Sequence, residues 1–190
     1  MGKFYDAITS ELADFIRAQH VYFVGTAPLA ADGHVNVSPK GLDTFRVLAP
    51  DHVAYLDLTG SGSEVSAHLI ENGRITIMFC AFEGPPRILR LYGEGQIVLP
   101  GTSQWDELRP LFPEVPGARL IVSVAVKRLQ TSCGFGVPLF DNPRPREMLV
   151  RWAESKGENI ERYRAEKNAR SIDGLPTPFT PVASPGGGDG

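Results

Sequence analysis

The chain has 190 residues, 42% of them hydrophobic and 22% charged, a size that lets one domain bury its own core without a disulfide or metal staple. Nineteen Lys/Arg against 22 Asp/Glu give a net charge of −3, and no basic stripe is present, so the electrostatic footprint of a nucleic-acid binder is missing. No apolar run approaches the roughly 20 residues of a membrane span, and the charged start MGKFYDAITSE lacks the apolar centre of an export signal.

The first segment spaces Phe4, Ile8, Leu12, Phe15 and Ile16 on one face, which predicts an amphipathic N-terminal helix. Short extended runs follow: VYFVGTA at 21–27, HVNVS at 34–38, FRVL at 45–48 and HVAYLDL at 52–58, each bounded by turn-forming residues. RITIMFCAF at 74–82 is apolar on both faces and reads as a central strand. RILRLYGEGQIVL at 87–99 contains Gly93-Glu94-Gly95, a bulge signal, and RLIVSVAVKRL at 119–129 is strongly β-branched. Six or seven strands with short connections predict an antiparallel barrel.

Three helices interrupt this pattern. Residues 63–72 end at Asn72-Gly73, a C-terminal stop. Residues 103–112 open with Ser103 and Asp106 at capping-box spacing, and residues 145–156 place Leu149 and Trp152 on one side before Gly157. The stretch ENIERYRAEKNAR continues a basic, helical arm. Beyond Ser171 the prolines and the ending SPGGGDG predict an extended tail. The expected division is therefore one domain over 1–176, with a C-terminal helical arm at 143–176, and a disordered tail at 177–190.

The segment Leu58-Thr-Gly-Ser-Gly-Ser-Glu64 lies between a strand and a helix and carries the most chemical information. Its glycines permit close backbone approach to an anion. The hydroxyls of Thr59, Ser61 and Ser63 and the free amides of the helix start supply donors. The same residues also read as a simple helix start, since Ser61 and Glu64 have capping-box spacing. In HVNVSPK, alternation puts His34, Asn36 and Ser38 on one face, with Lys40 continuing the line, and turns Val35 and Val37 toward a core. That polar face is either solvent-facing or, with Lys40 at its mouth, aimed at an anion held by the Thr59–Ser63 turn. Arg87 and Arg90, three apart in a strand, face opposite sides, so one at most lines a given site. Cys80 reads as core and Cys133 as a buried, inert thiol in a Gly-rich turn. There is no C-x-x-C and no histidine pair at ligand spacing, so no metal site is expected. His68 is assigned to the exposed or semi-exposed side of its helix.

In order and spacing, VSPKG at 37–41, YLDLTGSGSE at 55–64, AHLIENGRITIMF at 67–79 and RILRLYGEG at 87–95 resemble the pyridoxamine 5′-phosphate oxidase-like flavoproteins. TSCGFGVP at 131–138 and KNARSIDGLP at 167–176 are similar to one branch of that family. The resemblance implies a mainly β fold, a six-stranded antiparallel split barrel paired as a homodimer, with FMN at the interface. It implies flavin contacts from Ser38, Lys40 and Gly41, phosphate contacts from Thr59, Ser61 and Ser63, and isoalloxazine contacts from Arg87 and Ile88. Three departures stand out. Ser61-Gly62-Ser63 replaces an Arg-Lys pair, Ile88 replaces a Gln, and the C-terminal Arg-x-His substrate motif is absent, so pyridoxamine phosphate is not the expected substrate.

The function expected from these residues is that of a cytoplasmic FMN-dependent oxidoreductase acting on a small molecule or a nicotinamide electron donor, with neither nucleic acid nor membrane as partner. No side chain is assigned as catalytic acid or base, because the flavin carries the electrons. The rival expectations are a flavin-binding or flavin-sensing module without turnover, and a split barrel that uses F420 or haem instead.

Overall fold

The structure, a computed structural model, describes residues 2–181. In chain order its elements are β1 (Lys3–Tyr5), α1 (Ser10–Arg17), β2 (Tyr22–Thr26), β3 (Asn36–Lys40), β4 (Phe45–Ala49), β5 (His52–Leu58), α2 (Glu64–Asn72), β6 (Arg74–Cys80) and β7 (Ile88–Val98). They are followed by α3 (Ser103–Leu108) with a 3-10 turn (Arg109–Leu111), β8 (Ala118–Ser132), α4 (Met148–Lys156) and α5 (Asn159–Lys167).

The strands form one antiparallel sheet in the order β3-β2-β6-β7-β8-β5-β4, with β1 paired to the far end of β8. Seven strands laid flat would put β3 and β4 roughly 29 Å apart at about 4.8 Å per strand. Yet only residues 41–44 join them, and the five steps from Lys40 to Phe45 span at most about 18 Å. The sheet must therefore curl until its two edges meet. They meet without a backbone ladder between them, which is the split in the barrel. Leu42 and Asp43, at φ of 64° and 51°, make the sharp link.

The barrel interior is filled by Val24, Val53, Tyr55, Ile77, Phe79, Leu89, Leu91, Leu120, Val122 and Leu129, closed at one end by Leu12 and Ile16 of α1. A second cluster, with Ala54, Leu56, Val98, Ile121 and Phe112, packs the outer face against α3. The bulge signal at Gly93-Glu94-Gly95 is real: the β7/β8 register shifts between Tyr92 and Gly93. A Cβ on Gly93 would stand 2.3 Å from the Ala125 carbonyl oxygen. Gly73 caps α2 in the left-handed region, as the Asn-Gly stop predicts.

Several expectations are corrected. Among the described residues the sheet has eight strands, one of which, β1, takes Phe4 out of the expected first helix. That helix begins only at Ser10, after the Thr9 hydroxyl accepts from the Leu12 amide. The cap of α3 is Thr102, whose hydroxyl accepts from the Trp105 amide, rather than Ser103. The expected tail boundary at 177 falls inside packed chain: Thr177 is buried and donates to the Asn168 carbonyl at 2.5 Å, and Phe179 packs on the core. The expected disorder of 182–190 lies outside the described residues.

Candidate functional site

A cavity of about 560 Å3 opens at the split, between β3 on one side and the end of β5, the loop 59–63 and α2 on the other. From β3 it takes Asn36, Ser38 and Lys40. The link adds Gly41, and the loop adds Gly60, Ser61, Gly62 and Ser63. Leu56, Leu58, Val65 and Leu149 supply apolar wall. Gly41 and Thr44 also border a second cavity of about 370 Å3, floored by Tyr22, Phe45 and Phe79.

The charged heart of the site is Asp57, 3% exposed at the end of β5. Lys40 Nζ donates to its Oδ1 at 2.6 Å across the split, and Arg119 Nε donates to its Oδ2 at 2.5 Å. Burial works to raise the Asp57 pKa. The Lys40 and Arg119 charges and their hydrogen bonds outweigh it and hold the carboxyl below its usual value. Two cations against one anion leave this triad at +1, facing a loop rich in donors. Tyr55, stacked 5.4 Å under Lys40 Nζ, has its phenol pushed well up by burial, so it stays protonated.

The loop is tied down from behind. The Thr59 amide and hydroxyl both donate to the Gly117 carbonyl at 2.8 Å, and Arg164 Nε donates to Thr59 Oγ1 at 2.9 Å. The Gly62 carbonyl accepts from Arg119 Nη2 at 3.0 Å, and the Gly60 carbonyl from Asn168 Nδ2 at 3.1 Å. Among the described residues, the amides of Ser61 and Ser63 and the first turn of α2 have no protein acceptor. The alternative reading of Ser61 and Glu64 as a capping box is not realised. Ser63 is the cap residue, its hydroxyl donates to Ser66 Oγ, and Glu64 instead accepts the Ile172 amide at 3.1 Å.

The polar face of β3 faces inward, and a chain of contacts runs from it into the protein. Ser38 Oγ donates to Asn36 Oδ1, Asn36 Nδ2 donates to Thr26 Oγ1, and Thr26 Oγ1 meets His68 Nδ1 at 2.9 Å. His68, expected at the surface, is fully buried with its Nε2 unpartnered, and burial pushes its pKa down so that it is held neutral. Val35 and Val37, expected in a core, are 72% and 64% exposed. Alternation is right for this strand, but its inside and outside are reversed because a polar cavity occupies the inner side.

Of the residues singled out in the sequence, Ser38, Lys40, Gly41, Ser61 and Ser63 line the cavity. Thr59 lies behind the loop as a tether. Arg87 and Ile88 do not reach this cavity: Arg87 sits by α1, paired with Glu11 at 2.8 Å, and Ile88 begins β7 opposite Ser132. Arg90 donates to Ser132 Oγ at 3.1 Å. Cys80 is buried as expected, whereas Cys133 is exposed. Sequence reasoning missed Asp57, Arg119 and Asn168. The signal for Asp57 was present: it continues the buried Val53–Tyr55 face of an apolar strand, where only a paired carboxylate is tolerated.

Comparison with known proteins gives the family and the fold. The sequence model of the pyridoxamine 5′-phosphate oxidase family matches residues 8–133. The chain belongs to that family. A pyridoxamine 5′-phosphate oxidase family protein of Aspergillus flavus, ustO, is 40% identical over 200 residues, covering 93% of this chain and 78% of the relative. Among solved structures, a variant of HupZ from Group A Streptococcus superposes with a TM-score of 0.52 at 23% identity, over 66% of this chain and 99% of that one. A candidate pyridoxamine 5′-phosphate oxidase from Lactobacillus delbrueckii gives 0.51 at 20% identity, over 66% and 94%. These likenesses establish the split-barrel fold of the family. The family match ends at 133, so Leu149, Arg164 and Asn168 reach the site from an arm outside it.

Proposed function

We propose that this family member is an FMN-binding flavoprotein, an oxidoreductase acting on a small molecule or a nicotinamide donor, working as a cytoplasmic homodimer. The observation that carries the reading is the division of the cavity. One end has the hydroxyls and unpartnered amides of the 61–63 loop near Lys40, which suits a phosphate monoester. The rest offers apolar wall from Leu56, Leu58, Val65 and Leu149 with the hydrogen-bonding edge of Asn36 and Ser38, which suits a flat, polar-rimmed ring. Its volume lies within the roughly 300–1,000 Å3 of small-molecule sites.

Bound FMN supplies two-electron chemistry. The chain's own residues would bind and orient it: Lys40 and the loop amides neutralise the phosphate, and Asn36 and Ser38 fix the ring edge. The exposed Val35 and Val37 support the dimer, since apolar residues on the outer face of an edge strand are covered when a second copy packs there.

The test is the visible spectrum of the purified protein before and after addition of FMN. A flavin spectrum bound at one per chain, with gel filtration at twice the chain mass, is expected. A colourless protein that leaves added FMN free refutes the reading, and F420 or haem bands would replace the cofactor. Flavin binding without turnover is the second reading, favoured by the cavity's acids being engaged, Asp57 by two cations and Glu64 by the Ile172 amide. Bleaching of the bound flavin by NADH or NADPH decides between them.

A further inference from the structure

The C-terminal arm lies outside the family match, yet it enters the wall of the cavity. Asn168, fully buried at the end of α5, bonds in two directions. Its Oδ1 accepts from Arg119 Nη1 at 2.9 Å and its Nδ2 donates to the Gly60 carbonyl at 3.1 Å. Arg119, 5% exposed, then donates Nη2 to the Gly62 carbonyl at 3.0 Å. Two alternate carbonyls of one loop are thus drawn toward one pair of side chains.

The consequence follows from the peptide bond. In a trans peptide the carbonyl of one residue and the amide N–H of the next point in opposite directions. With the Gly60 carbonyl drawn to Asn168, the Ser61 N–H points away from it. With the Gly62 carbonyl drawn to Arg119, the Ser63 N–H likewise points away. Both serines line the cavity and both amides lack a protein acceptor among the described residues. Glycine at 60 and 62 leaves these peptide planes free to turn; a Cβ at Gly60 would meet nothing within 4 Å, so the orientation is set by the hydrogen bonds rather than by crowding.

We propose that Asn168 and Arg119 are positioning residues that preset the Ser61 and Ser63 amides to receive a phosphomonoester, so that the arm completes the anion site. Their two donors hold the Gly60 and Gly62 carbonyls, and so turn the amides that follow away from that pair. The inference deepens the flavin reading and rests on it for the identity of the ligand, but not for its phosphate chemistry.

The arm is held by contacts that an Asn168 side-chain change leaves intact. Its backbone carbonyl accepts from Thr177 Oγ1, its backbone amide bonds the Arg164 carbonyl, and Phe179 lies 5.5 Å from the Arg119 guanidinium. Asn168→Asp is therefore the informative variant. It keeps an acceptor for Arg119 and removes the donor to Gly60. Arg119→Lys keeps a cation for Asp57 and removes the donor to Gly62.

The test pairs two titrations of the full chain: FMN against riboflavin, which lacks the phosphate, and inorganic phosphate followed by NMR at the Ser61 and Ser63 amides. The expected result is that each variant weakens FMN about 10-fold, about 1.4 kcal/mol, and leaves riboflavin within about 2-fold. Phosphate should shift the Ser61 and Ser63 amides in the wild type and lose that effect in the variants. A merely structural role would weaken both flavins in parallel. That outcome, or an unchanged FMN-to-riboflavin ratio, overturns the inference while flavin binding stands. If the wild type binds neither flavin but phosphate still shifts these amides in an Asn168-dependent way, the flavin reading fails and this one holds. If phosphate shifts neither amide in the wild type, the inference fails.

Discussion

Replacing Asp57 with Asn tests the buried triad that spans the split. The carboxylate is 3% exposed and accepts two charge-assisted hydrogen bonds, from Lys40 at 2.6 Å and Arg119 at 2.5 Å. The amide cannot neutralise either cation, and Lys40 and Arg119 are left facing one another with no anion between them. Removing one partner of a buried ion pair costs about 3–5 kcal/mol. In a chain of this length each kcal/mol moves the melting temperature by about 2–4 °C, so a fall of roughly 6–20 °C is expected. Thermal unfolding by calorimetry or circular dichroism reads it.

The pH dependence sharpens the test. Because the folded Asp57 has a lowered pKa, its contribution is present above the ordinary carboxylate range and is lost as pH falls through the lowered value. The gap between wild type and Asp57→Asn should therefore be full at neutral pH and narrow in acid. A Lys40→Met, Asp57→Asn double-mutant cycle should show coupling of about 0.5–3 kcal/mol. A melting change of under about 2 °C at pH 7, or a gap that does not narrow in acid, would show that the triad does not hold the split together.

Three further outcomes are expected. Lys40→Ala should weaken FMN by about 10- to 150-fold, the equivalent of a charge-assisted hydrogen bond, with unchanged affinity in a fluorescence titration removing Lys40 from the site. Gly93→Ala should cost about 1–3 kcal/mol or more in chemical denaturation, because its Cβ meets the Ala125 carbonyl 2.3 Å away on a neighbouring strand. The hydrogen bond that His34 donates to Asp173 raises the His34 pKa, and the same contact lowers that of Asp173. The His34 share is thus full below about pH 6.5 and lost as pH rises through its raised value, and the Asp173 share is lost as pH falls through its lowered one. Hydrogen-exchange protection of residues 170–175 should peak in the mildly acidic window between these limits, and His34→Ala should remove the fall on the alkaline side.

Much of the barrel was legible because its signals are local. HVAYLDL at 52–58 is one strand from end to end, flanked by a turn at Asp51 and the glycines after Thr59, and Asn72-Gly73 stops α2 where it should. The miss at β3 has a simple cause, which is that periodicity assigns faces but not which face is inside. Alternation correctly separated Val35 and Val37 from Asn36 and Ser38, and burial then went to the polar set because the strand borders a cavity. Phe4 fits a helical stripe by spacing, but the long end of β8 offered Lys3–Tyr5 a strand partner. Ser61 and Glu64 had the spacing of a capping box, and a backbone amide 108 residues away, at Ile172, took the carboxylate. Long-range polar contacts of this kind leave no trace in a local pattern. Of the residues the family resemblance assigned, the chain brings Ser38, Lys40, Gly41, Ser61 and Ser63 to this cavity and leaves Arg87 and Ile88 outside it.

The arm shows how a polar helix can be ordered without an apolar stripe. The sequence of α5, NIERYRAEK, buries only Arg164, a residue that is costly to bury without partners. Its guanidinium has them: Thr59 Oγ1, the Gly117 and Ala118 carbonyls, and Glu161, with the Phe179 ring 6.0 Å away. Burial lowers the Arg164 pKa in spite of Glu161, but an arginine so placed keeps its proton, so these bonds stay charge-assisted. Every one of its backbone acceptors lies at the foot of β8, and Thr59 begins the 59–63 loop. Docking of the arm and order of the loop are consequently coupled through these bonds. By linkage, an anion that binds only the ordered loop stabilises the docked arm by the same free energy with which the arm favours the anion. An element held by a few directional polar contacts is also the sort that opens below the global unfolding free energy. If the loop receives an anion, the arm rather than the barrel strands is then the element whose docking supports the loop.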